Sequence, residues 1–336
     1  MDPVTHGLIG ASVSQSVADS QEIRWAALIG AAGAMLPDLD VLIGTSADPL
    51  MNLEYHRQFT HSFIFIPFGA LIVAVLLWWP LKTKLTFQKI YLYSLLGVAT
   101  AGIADTFTSY GVQLFWPLTD TRFSWNLISV FDPLFSLGLI IGVGTALYKK
   151  KTTGALFALC WMVIYLLFAV TQKQEAHITA EALARQRNHF TEKIIVKPTI
   201  GNQLLWSARY VRGNQLYADA IGIIPFSEPK IYQGESEPLL PWQKMYSEYK
   251  GTTLYKDIKR FEVLSNEILV EHPEHPQVIG DGRYSMLPTT IRPLWGIRID
   301  TTRPNSHVDF ETLRDTGPEI RQVFLNMVLG VKETNQ

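Results

Sequence analysis

Uncharged stretches of membrane length alternate with short charged segments through the first half of the chain, and the pattern stops near residue 172. Ser62–Leu81 is a run of 20 residues without a charge and Thr152–Gln172 a run of 21. Each is long enough to cross a hydrocarbon core of about 30 Å as a helix. Pro133–Tyr148 adds 16 uncharged residues before Lys149-Lys150-Lys151, and Ile90–Trp116 is uncharged apart from Asp105. Two weaker stretches come first. Pro3–Ala18 and Trp25–Pro37 are short and rich in small residues, among them Gly7, Gly10, Gly30 and Gly33, which let helices approach closely in lipid. They predict a tightly packed hairpin inside the bundle, with two amphipathic or soluble helices as the alternative. No basic segment precedes the first apolar stretch, so a cleavable signal peptide is not expected.

Beyond residue 172 the pattern changes. A polar, Ala-rich stretch to about Phe190 continues the last span as a helix. Runs with strand character follow at Lys193–Val196, Gln203–Arg212, Gln215–Ile224 and Thr290–Asp300, with helices expected over Thr253–Ser265 and Glu311–Leu329. The predicted architecture is an all-α polytopic membrane domain of about six helices, the first two short, over residues 1–172. A soluble α+β domain follows over 173–336.

Composition sharpens that division. The 336 residues are 18% charged with a formal net charge of −1, and that mean conceals two different halves. Residues 1–171 hold 9 Lys+Arg and 10 Asp+Glu, whereas residues 172–336 hold 20 of each. The first half has the charge scarcity of a bilayer protein and the second the makeup of an ordinary soluble domain. A near-zero net charge argues against a nucleic-acid binder. The single Cys160 excludes an internal disulfide and a Cys-rich metal site. No P-loop or dinucleotide fingerprint is present, and His272-Pro-Glu-His275 is read as a solvated loop lacking a second converging pair.

Lys82, Lys84 and Lys89, and the triple lysine at 149–151, fall on one side of a six-helix alternation, which the positive-inside rule makes cytoplasmic. Both termini, and the whole second half, are then expected outside. On this topology His6, Asp38, Asp40, His56, His61, Asp105 and Asp132 all come to the outer face, although none was used to derive it. Asp105 carries the weakest structural explanation, because a carboxylate within a membrane helix costs roughly 2.5–3.5 kcal/mol and normally marks a functional interior position. Asp132-Pro133 equally matches a helix N-cap. In a loop, the i,i+2 spacing of Asp38 and Asp40 can aim both carboxylates at one cation. His56 and His61, five apart, would diverge by about 140° on one helix, so either His56 lies on a loop that folds back or only His61 is a ligand.

Histidine and aspartate without cysteine suit zinc in a hydrolytic site, with Mn²⁺ or Fe²⁺ as alternatives. His6, Asp38, Asp40, His61 and Asp105 are the candidate metal ligands. His56 and Asp132 are the candidate catalytic groups, one of them a general base. Arg57 and Arg122 are candidates for binding a phosphorylated substrate, or equally for anchoring at lipid headgroups beside Trp116 and Trp125.

The motifs Asp2-Pro-Val-Thr-His6-Gly7, Leu36-Pro-Asp-Leu-Asp40, Tyr55-His-Arg-Gln-Phe-Thr-His-Ser62, Asp105-Thr-Phe-Thr-Ser-Tyr-Gly111 and Phe131-Asp-Pro-Leu-Phe135, in this order, resemble those of the bacterial membrane-bound metal-dependent hydrolases. These are also called the LexA-binding, inner-membrane-associated hydrolase family. The resemblance covers about residues 1–170 and implies an inner-membrane protein with metal-dependent hydrolase activity. The His6 and Pro-Asp-x-Asp pattern is more distantly similar to zinc-dependent phospholipase C and related nucleases, whose later histidine clusters are missing from this membrane half.

The expectation is therefore a metal-dependent hydrolase of the inner membrane, acting on an ester or phosphoester of a lipid-linked or periplasmic substrate, with membrane lipid as its surroundings and no nucleic-acid partner. The alternative is a non-enzymatic transporter or partner-binding regulator. No clear repeat relates residues 1–80 to 90–171, as an inverted-repeat transporter would show.

Overall fold

The computed structural model describes residues 1–45, 47–191 and 193–331. The chain forms two compact units. The first comprises Met1–Ile43, Tyr55–Thr171 and Ile200–Asn202, and the second comprises Gly44–Glu54, Gln172–Thr199 and Gln203–Gln336. The excursion at Gly44–Glu54 separates the Pro-Asp-Leu-Asp motif from His56 and His61, a detour that no local pattern announces.

The first unit is helical. Helix α1 (Pro3–Ser16) starts at Asp2, whose carboxylate accepts from Thr5 N at 3.0 Å, with Pro3 in the first position. Helix α2 (Ile23–Met35) runs into a 3-10 turn at Pro37–Leu42. Helix α3 (Leu50–Tyr55) is short, and 3-10 turns at Phe59–His61 and Phe63–Phe65 lead into α4 (Ile66–Leu81). Helix α5 (Phe87–Thr106) is capped by Thr86, and α6 (Pro133–Lys149) by Asp132, which accepts from Phe135 N at 3.1 Å. Helix α7 (Thr153–Gln186) begins in the first unit and ends in the second.

Among the described residues three helical stretches are long and apolar enough to cross a membrane: Ile23–Leu42, Phe63–Leu81 and Thr153–Gln186. Pro133–Lys149 is a shorter apolar helix. The second stretch expected from sequence, Trp25–Pro37, is lengthened because the turn at Pro37–Leu42 continues α2. The helix expected over Ile90–Trp116 instead stops at Thr106. There the hydroxyls of Thr106 and Thr108 bond back to Ile103 O and Asp105 O, and Gly111 takes φ +86°, so local side-chain bonds compete with the helix ladder. The small residues serve as predicted. A Cβ on Gly30 would strike Gly10 O and Ser14 Oγ, and one on Gly97 would strike Gly30 O, so α1, α2 and α5 meet backbone to backbone.

The second unit contains two antiparallel sheets. One has β1 (Ile194–Pro198), β2 (Leu205–Arg212), β3 (Gln215–Gly222) and β4 (Lys230–Tyr232) in order, with β5 (Ser236–Pro238) also on β3. The other orders β6 (Leu269–His272), β7 (His275–Asp281), β8 (Trp295–Arg298) and β9 (Asp309–Thr312). Helices α8 (Trp242–Met245), α9 (Thr253–Leu264) and α10 (Pro318–Val328) complete it. Helix α9 buries Leu254, Ile258 and Phe261 in a core shared with Leu269, Ile279, Ile297 and Leu50.

The α+β character matches the sequence-based expectation, but several details differ, among them the short strands β4 and β5 and helix α8, which the sequence reading did not include. Strands β6 and β7 were not expected, because Pro273 and Pro276 interrupt the apolar alternation. His272-Pro-Glu-His275 closes that hairpin, with His272 buried, rather than forming a solvated loop. The helix expected from Glu311 begins at Pro318, since Asp309–Thr312 is drawn into the sheet beside β8.

Candidate metal centre

Four segments of the first unit deliver a ring of alternating imidazole and carboxylate. His6 projects from α1, Asp38 from the turn after α2, His61 from the turn before α4, and Asp105 from the last turn of α5. His6 Nε2 lies 3.2 Å from Asp105 Oδ1 and 3.8 Å from Asp38 Oδ2. His61 Nε2 lies 3.4 Å from Asp38 Oδ1 and 3.3 Å from Asp105 Oδ2. Neighbouring donors about 2.0–2.1 Å from a tetrahedral zinc stand about 3.3 Å apart; the contacts of this ring fall at 3.2–3.8 Å but run to different oxygens of each carboxylate. His6, Asp38 and Asp105 each offer one ligand atom within 4.8 Å of the others. His61 Nε2 and Asp38 Oδ2 are buried with no hydrogen-bond partner among the described residues, whereas Asp105 Oδ2 is ion-paired with Arg57 Nε at 2.9 Å. Buried polar atoms left unpaired are costly, and a cation shared by His61 and Asp38 would satisfy both. The donor chemistry and the spacing both fit a divalent metal.

Asp40 is placed differently. On a 3-10 turn, two residues separate side chains by about 240°, so Asp38 and Asp40 face different neighbours rather than one cation. Asp40 Oδ1 accepts from His56 Nδ1 at 2.6 Å. Its Oδ2 accepts from Arg57 N at 2.9 Å and Thr60 Oγ1 at 2.8 Å, and stands 3.4 Å from His61 Nδ1. The carboxylate thus stands behind the rear nitrogen of His61 while the front nitrogen faces Asp38 and Asp105. This is the arrangement by which carboxylates orient metal-binding histidines. Thr60, which sequence reasoning did not single out, sits between the two, 3.1 Å from His61 Nδ1.

The loop at His56–His61 does fold back. Arg57 takes φ +60°, and the His56 and His61 rings meet edge-on at 6.3 Å. His56 is one-third exposed. Arg57 is buried, with Nε 2.9 Å from Asp105 Oδ2 and Nη1 donating to Thr108 Oγ1 at 3.2 Å, and its guanidinium stands over the Tyr110 ring. The amino group of Met1 also contacts Asp105 Oδ1. Arg122 donates to His56 O at 3.1 Å, tying the 107–132 segment to the histidine loop. Asp132 caps α6 and accepts from Tyr165 OH at 2.8 and 2.9 Å, and it is not part of the ring. Burial by itself lowers the His61 imidazolium, but its close contacts with the carboxylates of Asp105, Asp38 and Asp40 outweigh it and push its pKa up to about 10. The carboxylates around it thus favour a positive charge at this position.

A helical bundle with membrane-length apolar helices and a buried His/Asp cluster at their ends defines a polytopic membrane protein with a candidate metal centre. The model of one family matches residues 1–176, a little over half the chain, and the protein belongs to that family, the YdjM inner membrane proteins. No curated protein and no solved structure matches the chain. Family and apolar helices together make it an inner-membrane protein.

Proposed function

We propose that this protein is a metal-dependent hydrolase of the inner membrane that cleaves an ester or phosphoester. The observation that carries the reading is the ring of His6, Asp38, His61 and Asp105, in which His61 Nε2 and Asp38 Oδ2 are buried without hydrogen-bond partners among the described residues. Those four residues would hold one divalent ion, zinc by preference of an N/O donor set without sulfur. When bound, that ion supplies Lewis acidity and acidifies water at neutral pH.

The protein's own groups divide the remaining work. His56 donates Nδ1–H to Asp40, which leaves Nε2 as the acceptor on a partly exposed ring, suited to take a proton from water as general base. Asp40 holds the base with one oxygen and stands against the ligand His61 with the other. Arg57 offsets the charge of Asp105, so the ring carries less net negative charge toward an anionic ester. Positively charged loops at Lys82–Lys89 and Lys149–Lys151 support an orientation with the centre and residues 172–336 on the periplasmic side.

Metal analysis of the purified full-length protein tests the reading. The wild type should retain about one equivalent of zinc, and an Asp38→Ala/His61→Ala variant should retain little. Equal, near-zero metal in both overturns it. A reporter fused after α7 should be active in the periplasm, and activity confined to the cytoplasm overturns the orientation.

A further inference from the structure

The segments that supply the ring turn polar residues inward and large apolar residues outward. Asp38 and Asp40 point to the cluster, while Leu39 and Leu42, three apart and therefore on one face of the 3-10 turn, are exposed, Leu42 at 76%. His61 is buried, yet Phe63 and Ile64, two and three residues later, are exposed where the Phe63–Leu81 stretch begins. The segment after α5 adds Phe115 and Leu118, the latter 88% exposed. It is fixed to the same place: Phe63 N donates to Leu114 O at 2.9 Å, and the Phe63 and Phe115 rings meet at 5.4 Å. Leu39 and Leu42 flank Asp38, and Phe63, Ile64, Phe115 and Leu118 follow His61, so exposed apolar side chains, here called the collar, border the segments that carry both ligands. Exposed apolar patches of this kind mark a binding surface, and aromatic residues at span ends sit at headgroup depth. The collar continues directly into a membrane-length apolar helix, so its occupant is lipid.

Access to the ring supports a particular substrate. Asp38 is its most exposed ligand, at 17%, and Leu39 is its immediate neighbour. Arg57 and Arg122 are already engaged by Asp105, Thr108 and the His56 carbonyl. These engaged guanidiniums offer a small soluble anion little, whereas an amphiphile gains from burying its chains. We infer that the centre acts on the phosphodiester headgroup of a membrane lipid whose acyl chains lie over the collar. This rests on the metal reading above. In the hydrolysis one water is consumed and one P–O ester bond breaks. The water oxygen stays on phosphorus, and a proton passes to the departing alkoxide.

The full-length protein loaded with cobalt(II) tests this without turnover, because an anion entering the coordination sphere shifts the visible bands. Dihexadecyl phosphate and dimethyl phosphate share one anion and differ only in their chains. The two-chain probe should reach half-saturation at a concentration at least 30-fold lower. That advantage should fall to about threefold or less in a Leu39→Ser/Phe63→Ser variant, and independently in Leu118→Ser/Phe115→Ser, with cobalt still held. Equal half-saturation of the two probes by the wild type overturns the inference, as does an undiminished advantage in both variants. If the collar variants change only the mass of the particle, the collar covers a second protein copy and the inference falls. Failure of the wild type to bind cobalt overturns the metal reading itself, and is seen before either probe is added.

Discussion

Asp40 stands 3.4 Å from Nδ1 of His61, behind the ring whose Nε2 faces Asp38 and Asp105 at 3.4 and 3.3 Å. The carboxylate thus fixes which nitrogen is presented to the ring without occupying the ring itself. Outer partners of this kind usually contribute 10–100-fold to metal affinity. Asp40→Asn should therefore weaken zinc binding by about 10–100-fold, read by competition with a chromophoric chelator. Loss of binding on the scale of Asp38→Ala would instead make Asp40 a ligand.

Arg57 and Asp105 are both buried, with Nε 2.9 Å from Oδ2. Removing one member of a buried pair strands the other. Arg57→Met in the metal-free protein should cost about 3–5 kcal/mol. The Arg57→Met/Asp105→Leu double variant should recover much of that loss, because neither charge is then left alone. Unfolding in detergent by urea, read as a double-mutant cycle, measures it. Additive losses would show that the two do not interact.

His272 makes the second unit sensitive to mild acid. Burial, helped by His275, pulls the His272 imidazolium below its ordinary value, and Nδ1 accepts from Glu274 N at 3.2 Å, which only the unprotonated nitrogen can do. The folded state therefore binds a proton less readily than the unfolded chain. Stability from this group is complete above the ordinary imidazole value near 6.5 and declines as pH falls below it. The melting temperature of the second unit should drop between pH 7.5 and 5.5, and His272→Phe should shrink that drop. An unchanged slope would remove His272 from the account.

Gly97 and Gly144 make a matched pair of tests for helix packing. A Cβ at Gly97 would strike the Gly30 carbonyl, whereas one at Gly144 would meet nothing within 4 Å. Gly97→Ala should cost about 1–3 kcal/mol by overpacking, seen as a lower melting temperature in detergent. Gly144→Ala should be neutral or slightly stabilising, given alanine's helix preference. Equal effects at the two positions would contradict the close approach of α2 and α5.

The membrane helices were legible because each carries its evidence locally. An uncharged run of 20 residues at Ser62–Leu81 can bury itself only in lipid or a core, and Asp2-Pro3 and Asp132-Pro133 cap their helices as short-range bonding dictates. The candidate residues were legible as polar groups in costly surroundings. Their division of labour was not. The 3-10 turn at Pro37–Leu42, which sends Asp38 and Asp40 to different neighbours, and the left-handed Arg57, which folds His56 back against His61, are conformations that residue spacing leaves open.

What the sequence determined by itself was a charge-poor, apolar helical half followed by a half with strand character, together with the set of His and Asp residues worth watching. Hydrophobic transfer and charge burial are properties of composition over a window, so they survive without coordinates. The tertiary structure alone decided that His6, Asp38, His61 and Asp105 close a ring, that Asp40 stands behind it, and that Gly44–Glu54, between Asp40 and His56, belongs to the second unit. These depend on distances between segments as far apart in sequence as residues 6 and 105. Such distances arise from the packing of whole helices and leave no trace in any local pattern.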